Sequence, residues 1–391
     1  MIVFTYPGQG SQKPGMGAAW ADHPSWELVG EASEAADRDV EHLLLHADAD
    51  ELTETRNSQL ATFVTSMIVL DAVTRLGAEA AGHVGHSLGE YSALTAAGVV
   101  DFGDAVRLVT ERGDAMQAAA DEREGTMAAI LGLDDEQVQI ACHRAGGEAW
   151  VANHNAPGQV VIAGVPDDVT RAAEIAKELG AKRAMPLPVG GAFHTPLMAP
   201  ARDRLQKAID KTEFRDPIGS VLANVDATDH PKASSWPDLL KAQLCSPVRW
   251  RQTLRALDEA GFTTFAELGP GAVLSGMAKR TVKGATLITV NAPEDLDGLL
   301  EALNPQPAVE STQLEGEHLF ATERLVVSPA AGIFTAEPDC EPGTSIAVGH
   351  LIGRVGDDEV RSPFAGELMG VLALEGERVM TSQPIAWLRT R

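Results

Sequence analysis

Cysteine is scarce: Cys142, Cys245 and Cys340 are the only three in 391 residues. No two stand at zinc-ligand spacing, so a finger or ribbon is excluded and no metal site is expected; so few thiols fit a reducing compartment. Basic side chains are in deficit as well. Lys and Arg number 31 against 56 Asp and Glu, a formal net charge of −25. That balance excludes nucleic acid or an anionic membrane as the main partner, while leaving room for a local cationic patch. No apolar run is long enough to span a bilayer, and the first residues lack the basic stretch of a secretory leader. The expectation is a cytoplasmic protein. Lysine is absent altogether after Lys283. Aromatics make up only 5%; the abundant alanine and glycine suit helices that lie close on a sheet.

What is present alternates. "MIVFTY" reads as a short buried strand. In "NSQLATFVTSMIVLDAVTRLG", Leu60, Phe63, Val64, Met67, Leu70, Val73 and Leu76 recur at helical spacing, and Gly77 is a natural stop. "AAGHVGHSLGEYSALTAAGVV" reads as strand, sharp turn and helix, and another helix follows. This is the pattern of an α/β layer with a parallel sheet. Residues 123–188 change character: "TMAAILGL", "DDEQVQIACHRAG", "EAWVANHN", "GQVVIAG", "VPDDVTRAAEIAKELG" and "AKRAMPLPV" give the order βαββαβ, a ferredoxin-like subdomain inserted in the larger one. The α/β pattern resumes over 189–303. Residues 304–317, with their prolines and polar side chains, read as a linker. From 318 to 391 only short β-like runs occur, and "SPAAG" (328–332) is echoed by "SPFAG" (362–366), which predicts two related halves of a small all-β barrel or sandwich.

Two stretches carry chemistry. "YPGQGSQKPGMG" (6–17) could cradle a phosphate, make a turn or hold a reacting oxygen. "GHSLGE" (85–90) satisfies G-x-S-x-G. A serine on a tight strand-to-helix turn needs small neighbours, and its hydroxyl then projects at a helix N-terminus. There the amide of Leu88 can face a developing oxyanion. Ser87 needs a base. His194, in the glycine-led loop "GGAFHTPLM", follows it in chain order; His86 adjoins the serine and is expected to point elsewhere and line the cleft. No carboxylate is marked as a third member.

The chain resembles malonyl-CoA:acyl carrier protein transacylases. "PGQGSQ", "GHSLGEYSAL", "RLVTERGDAMQ", "VANHNAPGQVVIAG", "GAFHTPLM", "CSPVRW" and "ELGPGAVLSGM" run in family order across residues 1–303. The resemblance implies a hydrolase-like α/β core over 1–122 and 189–303 that carries the ferredoxin-like insert. It implies ping-pong transfer of malonyl from malonyl-CoA to the phosphopantetheine thiol of acyl carrier protein in fatty-acid biosynthesis. The nucleophile would be Ser87, the base His194, and the oxyanion donors the amides of Gln9 and Leu88. It makes Arg112 the clamp for the malonyl carboxylate, a task for which a guanidinium fork is better shaped than an ammonium. The main-chain carbonyl of Gln243 would orient His194, which accounts for the missing acid. His86, Asn153, Asn155 and Phe193 would line the cleft, Phe193 crowding an α-methyl branch. No cofactor is implied, since coenzyme A thioester and pantetheine thiol are substrates. Arg249, Arg251 and Arg255, or Lys279, Arg280 and Lys283, are candidates for docking an acidic carrier or for holding coenzyme A phosphates. A polyketide-synthase acyltransferase acting in trans and a serine hydrolase or thioesterase of the same core are the alternatives; a non-catalytic scaffold fits less well.

Residues 318–391 resemble a biotinyl/lipoyl-type domain. Aligning "EVRSPFAG" with the strand after that family's hairpin puts Val355 where the modified lysine belongs. With no lysine in the segment, attachment of biotin or lipoate is not expected. A packing domain and a docking module for a carrier, a carboxylase or another synthase component both stay open.

Overall fold

The structure, a computed structural model, describes residues 1–303, 323–338, 340–356 and 358–389. The linker expected at 304–317 lies outside the described residues. The chain divides into two units, Met1–Ala308 and Val309–Arg391.

In the first unit, β1 (Ile2–Tyr6) is followed by α1 (Glu27–Ala36), α2 (Val40–Leu45), α3 (Ala49–Thr53) and α4 (Thr55–Arg75). Then come β2 (Gly82–Gly85), α5 (Gly89–Ala96) and α6 (Phe102–Glu122). A separate sheet is built from β3 (Thr126–Leu131), α7 (Asp135–Ala145), β4 (Ala149–Ala156), β5 (Gln159–Gly164), α8 (Pro166–Glu178) and β6 (Arg183–Pro186). The chain returns through α9 (Ala199–Ile209), β7 (Ser220–Val221), α10 (Trp236–Gln243), α11 (Trp250–Glu259), β8 (Thr264–Leu268), α12 (Val273–Thr281), β9 (Thr286–Val290) and α13 (Leu296–Leu303). The main sheet runs β7-β2-β1-β8-β9, all parallel. The second runs β4-β5-β3-β6, all antiparallel.

β1 has buried residues on both faces, which is why "IVFTY" lacks polar alternation. It pairs with β2 so that Tyr6 lies opposite Gly85. Both strands therefore end together, and the loop "PGQGSQ" and the serine turn leave the same edge of the sheet. The crevice beyond the carboxyl ends of parallel strands is where such folds place ligands.

The helix α4 departs from the amphipathic stripe its spacing predicts. Leu60, Phe63, Val64, Met67 and Val73 are buried as expected, but so are Ser58, Gln59, Thr62, Thr65 and Ser66. From residue 58 to 69 the helix is covered all round, whereas Thr74, Arg75 and the expected stripe residue Leu76, just past its end, are exposed. Two of its buried hydroxyls bond back to the helix, Thr65 Oγ1 donating to the Ala61 carbonyl at 2.8 Å and Ser58 Oγ to that of Thr55 at 3.2 Å, while among the described residues Thr62 Oγ1 and Ser66 Oγ have no partner. Among the described residues no helix is long and apolar enough to cross a membrane.

Glycines set how tightly the serine turn can close. A Cβ on Gly89 would lie 2.0 Å from the Tyr6 carbonyl oxygen, and one on Gly85 would lie 1.8 Å from the carbonyl oxygen of Gly89. Both obstacles are backbone, with no flexible end to move aside. Gly89→Ala is therefore expected to lower stability by about 2–3 kcal/mol, read as a fall in urea midpoint at unchanged m-value.

The second unit, taken by itself, is all β. Its strands are β10 (Glu323–Val327), β11 (Gly332–Ala336), β12 (Ser345–Ile346), β13 (Leu351–Val355), β14 (Asp358–Arg361), β15 (Gly366–Val371), β16 (Arg378–Val379) and β17 (Pro384–Arg389). They form two four-stranded sheets, β10-β17-β15-β12 and β14-β13-β11-β16, around Val326, Phe334, Ile352, Leu368 and Ile385. The sequence echo is a structural one. Ser328 Oγ donates to the Ala330 carbonyl at 2.6 Å, and Ser362 Oγ to that of Phe364 at 2.7 Å. β13 and β14 make a hairpin in which Val355 pairs with Asp358, and the Val355 side chain is buried.

Candidate active site

Ser87 sits between the end of β2 and the start of α5 with φ +53°. A non-glycine residue in this region costs on the order of 1 kcal/mol or more and persists only where its surroundings fix it. The fixing group is Asn224, from the loop after β7. Its Oδ1 accepts from the Ser87 amide at 2.7 Å, and its Nδ2 donates to the Gly85 carbonyl at 2.8 Å.

The loop that begins at Gly190 brings His194 against the serine. His194 also has a positive φ, +61°. Its Nδ1 lies 2.9 Å from the Gln243 carbonyl oxygen, which can only accept, so Nδ1 carries the proton. That leaves Nε2 as the acceptor for the Ser87 hydroxyl at 2.7 Å. Burial, and then the nearby Arg112 cation, push the His194 pKa down to about 3. The imidazole is neutral at pH 7 and ready to take a proton. With a backbone carbonyl on the far ring nitrogen, no carboxylate is needed to set the tautomer.

Arg112, on α6, is fully buried rather than lying on a solvated helix face. Its Nη2 donates to Ser87 Oγ at 3.1 Å and to Gln243 Oε1 at 2.9 Å. Nη1 donates to Gln59 Oε1 at 2.6 Å, and the group lies 5.4 Å from the Tyr91 ring centroid. Among the described residues no carboxylate forms an ion pair with it, and its Nε has no partner. A buried cation held by neutral acceptors beside a hydroxyl has the chemistry to pair with an anion. Burial lowers its pKa from the usual value, yet a guanidinium starts so high that it remains charged.

Two amides of the loops that leave this edge of the sheet lack an acceptor: among the described residues, neither the Leu88 nor the Gln9 amide donates a hydrogen bond. Gly8 explains how the first loop comes so close: a Cβ there would lie 2.5 Å from the His86 carbonyl oxygen. The loop is held by Gln12, whose Oε1 accepts from the Gly10 amide at 2.7 Å. A cleft of about 470 Å³ opens over Ser87 and His194, lined by Gln9, His86, Asn153, Asn155 and Phe193 together with apolar side chains from α12. His86 turns away from the serine, its Nε2 donating to Asn155 Oδ1 at 2.9 Å. The Phe193 ring occupies the space that a side chain on Gly191 would fill.

Of the cations singled out for anion docking, Arg251 is engaged, donating to both oxygens of Asp135 at 2.7 and 2.6 Å. Arg249, Arg255, Lys279, Arg280 and Lys283 are exposed. Gln59, Asn224 and Glu90 also belong to the site, and neither Gln59 nor Asn224 stands in a motif that marks it. Glu90 carries a signal, a carboxylate in the midst of the small and apolar residues that follow the serine.

The arrangement offers a hydroxyl and a neutral base at one cleft, with a buried cation 3.1 Å from the hydroxyl and, among the described residues, two amides without acceptors in the adjoining loops, which is equipment suited to acyl transfer from an activated carboxyl derivative. The family model described as acyl transferase domain matches residues 3–303. A malonyl CoA-acyl carrier protein transacylase of Bacillus subtilis strain 168 is 41% identical over 310 residues, covering 78% of this chain and 98% of that protein. The Escherichia coli K12 protein of the same name is 43% identical over 305 residues, covering 77% and 99%. A solved malonyl-transacylase in complex with its type II PKS acyl-carrier protein is similar at a TM-score of 0.74 and 39% identity, covering 78% of this chain and 99% of that one.

Proposed function

The chain belongs to the acyl transferase domain family, and from that premise we propose how its site works. The enzyme is an [acyl-carrier-protein] S-malonyltransferase: it moves malonyl from coenzyme A to acyl carrier protein for fatty-acid synthesis. Ser87 attacks the thioester carbonyl while His194 Nε2 takes its proton. The Gln9 and Leu88 amides hold the tetrahedral oxyanion. The imidazolium then protonates the departing thiolate of coenzyme A. In the second half, His194 deprotonates the carrier's pantetheine thiol, which attacks malonyl-Ser87 and regenerates the hydroxyl. No bound cofactor takes part. The Gln243 carbonyl stabilises the imidazolium through Nδ1–H, and Phe193 limits the room beside the malonyl α-carbon.

The observation that carries the malonyl reading is the Arg112 guanidinium 3.1 Å from Ser87 Oγ. A cation at that distance matches an acyl group that ends in its own carboxylate. The decisive experiment loads the enzyme with malonyl-CoA, removes free thioester by gel filtration and follows the adduct by intact mass. Discharge is expected to be fast with a phosphopantetheinylated carrier and slow in buffer. Equal rates of discharge to water and to thiol would make the enzyme a hydrolase.

For residues 318–391 we propose a biotinyl/lipoyl-like domain without a swinging arm. The two related halves and the β13–β14 hairpin support the fold. The absence of lysine and the burial of Val355 support the loss of the arm.

A further inference from the structure

Glu90 lies in the first turn of α5, three residues beyond the nucleophile, and is buried. Each carboxylate oxygen accepts from a different segment. Oε1 accepts from the Asn224 main-chain N–H at 2.7 Å; Oε2 accepts from Gln243 Nε2. Those two residues hold the site together. Asn224 grips the serine turn on both sides. Gln243 donates to the Ser87 carbonyl at 2.9 Å, receives Arg112 through Oε1, and receives His194 through its main-chain carbonyl.

Resting on the acyl-transfer reading above, we propose that Glu90 is a positioning residue that sets nucleophile, base and guanidinium in register by accepting from Asn224 and Gln243 at once. Only an ionised carboxylate suits the task, because both of its faces must accept. An amide at this position can satisfy one donor and must turn an N–H toward the other. A protonated carboxyl places its hydrogen in the path of one donor and weakens that bond.

The groups that act on Glu90 can be named element by element. On α6, Arg112 favours the carboxylate; beyond β7, Asp226 opposes it. β1 and β2 bring Tyr6 and His83, hydrogen-bonded to one another. Burial holds both neutral at pH 7, with His83 pushed down to about 4. The buried polar residues of α4 are Thr, Ser and Gln, none of them ionisable in this range. Burial outweighs the rest and raises Glu90 to about 7.

Stability and activity should then move in opposite directions. The unfolded carboxyl titrates near 4.5, so between about 4.5 and 7 the folded state binds more protons, and this group's contribution to stability falls as pH rises through 7. Malonyl loading requires the ionised form and rises over the same interval. His194, at about 3, adds no step there. A residue that only filled space would not give opposed slopes.

The test is the single-turnover rate of malonyl-Ser87 formation against pH, with urea stability measured in the same buffers, for the wild type and Glu90→Gln. The wild type is expected to load more slowly below pH 7 while becoming more stable relative to Glu90→Gln. The variant, checked as folded by circular dichroism, is expected to load roughly 10²-fold more slowly at unchanged KM and to show no step near 7. Loading by Glu90→Gln at the wild-type rate, or with the same step, overturns the proposal. Should the variant fail to fold, the wild-type profile decides: loading that slows below pH 7 at unchanged KM supports the inference, and a flat profile between pH 5.5 and 8 refutes it. If the wild type formed no malonyl-serine at all, it would be the transferase reading that fails.

Discussion

Ser87→Ala yields an enzyme that takes up no malonyl group when incubated with malonyl-CoA and transfers none to carrier protein. The expected loss of turnover is at least ~10³-fold, since removal of a covalent nucleophile leaves only binding and oxyanion stabilisation. The variant still folds, because alanine meets the same backbone at φ +53° and Asn224 grips the turn through the backbone of residues 85 and 87. It does lose the acceptor for Arg112 Nη2 and the donor to His194 Nε2. A stability decrease of about 1 kcal/mol is expected from the buried donor left short of a partner. Two readouts therefore separate. Intact mass after incubation reports the adduct, and urea unfolding reports the fold. An adduct that survived in Ser87→Ala would move the nucleophile elsewhere and, with it, every role assigned around this turn.

How much of this is legible in the sequence depends on whether a residue acts through its own neighbours or across the fold. The turn at Ser87 is a local event. Glycines at 85 and 89 are demanded by carbonyls that a Cβ would strike, so the motif states its own geometry. The βαββαβ run and the parallel strands follow likewise from short-range pattern. Arg112 shows the limit. Helical spacing places it among Val106, Val109 and Met116 without saying which face is covered, and only the family resemblance singles it out. The structure buries it against Gln59, 53 residues away, and Gln243, 131 residues away. Glu90 and Gln243 are 153 residues apart. No period in the sequence encodes such a bond, and a buried carboxylate reads on paper like any helix-surface glutamate. The stripe on α4 misleads for a related reason: the Ser, Thr and Gln side chains between its apolar residues are buried by the rest of the fold, and on paper they read as a solvated face.

Arg112→Ala separates selection from catalysis. In the free enzyme the guanidinium is held by two amide oxygens and a hydroxyl, and its Nε has no partner. Malonyl supplies the carboxylate that would complete it; acetyl leaves the buried charge as it was. Breaking a buried pair of this kind costs about 3–5 kcal/mol, so the rate constant for malonyl loading is expected to fall by ~10²–10⁴-fold. Acetyl loading should move the other way. The Arg112 charge is the second cause, after burial, of the depressed His194 pKa. Without the cation the imidazole becomes a stronger base, and an acyl group that never needed the clamp benefits. The same argument says what malonate does on arrival: its carboxylate offsets the Arg112 charge, the lesser cause of the depressed His194 pKa, while burial continues to hold the imidazole neutral. Selection by this site would therefore show in the acylation rate as well as in binding, because an acyl group without a carboxylate meets a weakened base. Competition loading with malonyl-CoA and acetyl-CoA, scored by intact mass, measures both directions at once. Arg112→Lys serves as the companion variant, since an ammonium keeps the charge but lacks the fork; it should retain the depressed base while binding malonyl poorly, and so load neither acyl group well. Unchanged selectivity in Arg112→Ala would remove the guanidinium from substrate choice and leave its burial beside the serine as scaffolding.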